Sequence, residues 1–130
     1  MLNQGEPVEA SVIFRAATWL LATAFASGIG MAAVRFASDK ASPPWLAKLH
    51  GFAAIGALTL LSLGCASFAL PSTALYGLLI LLAAAASGVV LNLGYHWRNK
   101  PLPEWLVFAH MSIAFIGFVI VGLLALTLTA

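Results

Sequence analysis

Apolar residues run along this chain in four long blocks, separated by three short polar breaks. The blocks cover Ala16 to Phe36, Trp45 to Leu70, Thr73 to Tyr95 and Trp105 to Leu128. Each meets the roughly 20 residues that an α-helix needs to cross a bilayer. They are continuous and rich in Leu and Ala, without the period-two alternation of strands, so the pattern predicts four transmembrane helices. Pro43, Pro44, Pro101 and Pro103 punctuate the starts of the second and fourth. Glu6 and Glu9 precede the first block, which is too long for a cleavable signal core and has no basic leader.

Composition agrees with lipid as the solvent: 62% of the 130 residues are hydrophobic and 8% are charged. A soluble domain of this length has too much surface for so few charges. The net charge of +2 comes from six basic residues, which excludes a nucleic-acid surface. Arg35, Lys40 and Lys48 flank the first connection and Arg98 and Lys100 the third, whereas the opposite side holds Arg15 alone. The positive-inside rule then places both basic connections in the cytoplasm and both termini in the periplasm of a bacterial inner membrane. The single cysteine, Cys65, lies inside an apolar block and forms no intramolecular disulfide.

A shift of 60 residues brings the chain onto itself without a gap. Leu21 falls on Leu81, Ala24 on Ala84 and the triplet "ASG" at 26–28 on "ASG" at 86–88. Lys40, Pro43, Trp45, Leu46, His50 and Ala54 meet Lys100, Pro103, Trp105, Leu106, His110 and Ala114. Matches in Lys, Pro, Trp and His are informative because those residues are scarce here. The expected architecture is one all-α domain over residues 1–130, a four-transmembrane-helix bundle. It is built from two parallel-repeat helical hairpins, about 16–70 and 76–130, related by a pseudo-two-fold axis along the membrane normal.

His50 and His110 each stand five residues beyond their Trp, about 7–8 Å below the interface on equivalent helices. An ionisable side chain at that depth turns to the bundle interior and needs a partner. Small residues continue each stripe inward: Ala54 and Ala57 from His50, Ala114 and Gly117 from His110. Gly28 and Gly88 sit a little deeper, where they let helices touch or admit a flat cofactor. Two facing imidazoles at one depth suit bis-histidine ligation of a haem iron, with Lys48, Arg98 or Arg35 at the rim to pair with propionates. Zinc suits the site less, because it wants four ligands, and Met111 is badly directed for copper beside His110. The competing reading is a hydrogen-bonded structural pair without metal.

His96 breaks the symmetry, since Phe36 occupies the matching position. It suits a headgroup contact, a propionate partner, a proton donor to a quinone, or a ligand of a second haem. Asp39 and Glu104 read as a solvated loop acid and a helix N-terminal acid, and no catalytic constellation is legible.

A four-helix membrane bundle with histidines on two helices resembles the membrane b-type cytochromes of the cytochrome b superfamily. The stretch "HWRNKPLPEWLVFAH" is also similar to small four-helix bacterial membrane proteins of no settled function. The resemblance implies electron transfer between a quinone or redox partner protein and a larger membrane complex, with His50 and His110 as axial ligands. Two-haem members need four ligands, and this chain has three histidines. That leaves one haem b, or a second completed by His96 with another residue or subunit. The alternative function is a cofactor-free accessory or scaffold subunit of such a complex.

Overall fold

A computed structural model describes residues 6–38, 40–98 and 100–128; Asp39 lies outside them. Four α-helices account for most of the chain: α1 (Glu6–Ser38), α2 (Pro44–Ser67), α3 (Ser72–Val89) and α4 (Glu104–Thr127). A π-helical stretch, Val90–His96, continues α3 toward its loop. All four helices are long and apolar enough to cross a membrane, so the protein is a multi-pass membrane bundle.

The helix starts follow from proline chemistry. Pro43 caps α2 and Pro44 is its first residue, while Pro103 caps α4 ahead of Glu104. A proline costs nothing there, because the first-turn N–H groups lack intrahelical partners anyway. Glu104 occupies the first turn of α4, where a carboxylate complements the positive end of the helix dipole.

The first helix begins ten residues before the expected Ala16. Glu9 and Arg15 interrupt the apolar block, yet both are exposed while Ala10 and Phe14 between them face inward. Phe14 is fully buried and packs on α2, where a Cβ on Gly64 would stand 2.9 Å from its ring. Block-averaged hydropathy misses such a turn, because a helix needs only one apolar stripe to continue into a bundle.

Neighbouring pairs carry the packing. The hairpins α1–α2 and α3–α4 are the most intimate, α1 also meets α4, and α2 meets α3 more loosely. Helices α2 and α4 therefore stand on a diagonal. The close-packed core occupies the half of the bundle that holds the 68–71 turn. Phe14, Ala17 and Leu21 of α1 meet Ala57 and Leu61 of α2, Leu78 and Leu81 of α3, and Val121 and Leu124 of α4. In the other half, toward the α1–α2 and α3–α4 connections, Ser27 is the one buried side chain among the described residues beyond the layer of Ala24, Ala53, Ala84 and Gly117. That layer is all alanine and glycine, and the bundle loosens above it.

Gly117 allows the closest approach in the core. A Cβ there would lie 2.6 Å from Cγ and 2.7 Å from Cδ2 of Leu81, so that buried side chain would have to shift. Gly117→Val is expected to force α3 and α4 apart and to destabilise the bundle by about 1–3 kcal/mol. Reversible unfolding in mixed detergent micelles reads this directly; an unchanged midpoint would contradict the packing.

Candidate functional site

The site lies where the packed half ends. His50 is the seventh residue of α2 and His110 the seventh of α4, each about 9 Å along its helix from the start. Both rings are half-buried and turned toward the diagonal. Their centroids are 6.1 Å apart with the planes inclined at 66°.

Each ring is held from behind by the other helix of its own hairpin. His50 donates its Nδ1–H to the carbonyl of Ala24 at 2.7 Å, and His110 donates Nδ1–H to Ala84 at 2.9 Å. A carbonyl only accepts, so in the neutral ring the proton must sit on Nδ1 and the lone pair on Nε2. Gly28 and Gly88 make these bonds possible. A Cβ would stand 3.1 Å from Cε1 of His50 at the first and 3.0 Å from Cε1 of His110 at the second. Each imidazole thus lies across a glycine to reach the carbonyl four residues earlier. The glycines stand at histidine level, and what they seat directly is the imidazole ring.

The serines of the two "ASG" triplets share these carbonyls. Ser27 donates to Thr23 at 2.7 Å and Ala24 at 2.9 Å, and Ser87 donates to Ala84 at 2.7 Å. Ser87 Oγ also lies 3.1 Å from Nδ1 of His110. The same contact therefore recurs in both hairpins at the 60-residue offset, with a small difference in the second.

No hydrogen bond among the described residues uses Nε2 of either ring, and neither nitrogen is a buried orphan. Space therefore remains beside each lone pair. An imidazole nitrogen lies ~1.1 Å from its ring centre and binds a metal at ~2.0 Å, so linear ligation sets the centres about 6.2 Å apart. The observed centroid separation is 6.1 Å. No group of three or more His, Cys, Asp or Glu gathers among the described residues. A metal between the two rings must therefore bring its other ligands with it, as a haem does.

The plane perpendicular to the His50–His110 diagonal runs toward α1 and α3. Deeper in the bundle the stripes of small residues continue from the histidines, with Ala57 and Gly117 buried and Ala54 and Ala114 half-buried. The two flanks differ. Between α1 and α4, Phe25 packs on Phe115 and Phe118 at 5.6 and 5.9 Å. The matching positions on the α2–α3 flank are Ala85, Ile55 and Leu58, and that flank is the looser one.

The remaining candidate residues lie outside this pair. His96 is exposed at the end of the π-helical stretch, and Arg98 is exposed just beyond it. Lys48 is exposed, about 200° around α2 from His50. Arg35 is half-buried and lines a cavity with Phe36, Leu102, Glu104 and Val107 at the loop end of α1 and α4. Trp45 and Trp105 are 64% and 70% exposed at the same end, as an interfacial belt requires. Ala24 and Ala84 were illegible as hydrogen-bond acceptors, because a backbone carbonyl has no residue type. The repeated "ASG" was their one signal.

No protein-family model, curated protein or solved structure matches this chain.

Proposed function

We propose that this chain is a membrane-embedded b-type haem protein that transfers electrons, with His50 and His110 as the axial ligands. One observation carries the reading: two Nε2 lone pairs, their tautomers set by carbonyls behind them, on rings whose 6.1 Å separation suits one metal between them. The donor set fits haem better than a bare ion, since two nitrogens hold a metal firmly only when a macrocycle supplies the rest. Haem bound there would supply one-electron exchange in an apolar shell.

The chain's own residues do the positioning. Ala24 and Ala84 fix the orientation of each ring and hold its proton on Nδ1, the usual role of a partner behind a metal-bound imidazole. Gly28 and Gly88 let the Nδ1–Cε1 edge of each ring come close against α1 and α3. The basic residues near the loop end favour a bacterial inner membrane with that end in the cytoplasm and both termini in the periplasm. A quinone or a redox protein would exchange electrons with it, as part of a larger membrane complex.

A second reading rests on the same hydrogen bonds. Each Nδ1–H already ties α2 to α1 or α4 to α3, so the histidines also suit a cofactor-free scaffold subunit. Absorption separates the two. Protein expressed with ample haem is expected to purify with a Soret band, sharp visible bands on reduction, and about one haem per chain. A colourless protein under those conditions would favour the scaffold.

A further inference from the structure

The two histidines are equivalent by sequence but not by hydrogen bonding. His50 Nδ1–H has the Ala24 carbonyl as its acceptor, at 2.7 Å. His110 Nδ1–H faces two acceptors, the Ala84 carbonyl at 2.9 Å and Ser87 Oγ at 3.1 Å. Ser87 gives its one proton to Ala84 at 2.7 Å, so its oxygen accepts from the ring. The result is a three-centre bond. Ser27, the matching serine, directs its proton to the carbonyls of Thr23 and Ala24. Among the described residues it makes no hydrogen bond to His50.

The glycines record the difference independently. A Cβ on Gly28 would stand 3.1 Å from Cε1 and 3.2 Å from Nδ1 of His50. A Cβ on Gly88 would stand 3.0 Å from Cε1 of His110, 3.5 Å from Nδ1 and 3.8 Å from Nε2. The His110 ring is therefore turned, with Nδ1 farther from its glycine and Nε2 nearer. One hydrogen bond leaves a ring free to pivot about it, because the angular preference at a carbonyl oxygen is broad. A second acceptor off that line removes the pivot. We propose that Ser87 is a positioning residue that fixes the tilt of His110, and that His50 has no counterpart to it. The two repeat-related rings then present Nε2 to the space between them in different orientations, with their planes inclined at 66°. The proposal deepens the haem reading and rests on it for its purpose, since the angle between two axial imidazoles sets the magnetic anisotropy of a ferric iron. The contact itself needs no haem.

Nitrogen NMR of the histidine side chains, on the full-length protein prepared without haem, tests the contact. Ser27→Ala removes a hydroxyl-to-carbonyl bond alone and serves as the control, whereas Ser87→Ala removes such a bond and the ring contact with it. Alanine is a better helix former than serine, so both variants should keep the bundle. Ser87→Ala is expected to shift the His110 Nδ1–H resonance severalfold more than Ser27→Ala shifts that of His50. Ser87→Thr, which keeps the hydroxyl, should restore it. In haem-loaded protein, Ser87→Ala should move the ferric electron paramagnetic resonance g-values and Ser27→Ala should not. Equal shifts in the two alanine variants, a threonine that behaves like alanine, or unmoved g-values in a haem-bearing protein would overturn the proposal. A colourless protein with the unequal shifts would support Ser87 and count against haem. A haem-bearing protein with equal shifts would do the reverse.

Discussion

Replacing either His50 or His110 with alanine is expected to abolish the low-spin haem spectrum, while His96→Ala leaves it intact. In the bis-histidine reading the two rings share one iron, so removing one leaves a single axial nitrogen, and no group of three or more His, Cys, Asp or Glu gathers among the described residues. His96 stands exposed at the end of the π-helical stretch. Each alanine variant also loses the Nδ1–H tie that fastens its helix to the hairpin partner. That costs about 1 kcal/mol for the bond and more if the carbonyl is left unpaired, so the fold is expected to survive. Absorption and electron paramagnetic resonance of the reduced and oxidised proteins read the outcome. Loss of the signal in His96→Ala alone would reassign the ligands.

The second large effect is expected at the glycines. Gly28→Leu and Gly88→Leu each place a side chain where the imidazole lies, 3.1 and 3.0 Å from Cε1 for the Cβ alone. The ring must leave, and with it the bond to Ala24 or Ala84 that sets the tautomer. Loss of a hydrogen-bond partner behind a metal-bound histidine typically costs 10–100-fold in metal affinity. Displacement of the ring should exceed that range. Gly→Ala is milder, because a neighbour at 3.0–3.1 Å has to yield only a few tenths of an ångström. Haem titration of the apoprotein measures both, and helicity by circular dichroism checks that the bundle persists. A leucine at Gly28 with unchanged haem affinity would mean that His50 does not need α1 behind it.

These two sets of variants separate what an axial ligand does from what its support does. Histidine variants remove the donor, and glycine variants keep it and spoil its aim. A scaffold without cofactor predicts a different ranking. There, both sets would change thermal stability together, and neither would change an absorption spectrum.

The linear order of residues determined the four spans, because continuous apolar blocks of that length have one economical solution in lipid. It also determined that His50 and His110 stand at one depth, since both follow a proline-started helix by the same number of residues. The repeated "ASG" pointed to a helix-level contact, but not to its partner. Only the tertiary structure decided that α2 and α4 stand on a diagonal, and so that the two rings face each other at 6.1 Å. It alone decided that Gly28 and Gly88 seat the imidazoles, because that depends on which turn of α1 lies beside which turn of α2. It also carried α1 back to Ala10 and Phe14, whose stripe is too narrow to raise the local hydropathy. The cavity beside Arg35 and Glu104 was beyond reach for the same reason: its walls come from positions about 70 residues apart, and packing alone brings them together.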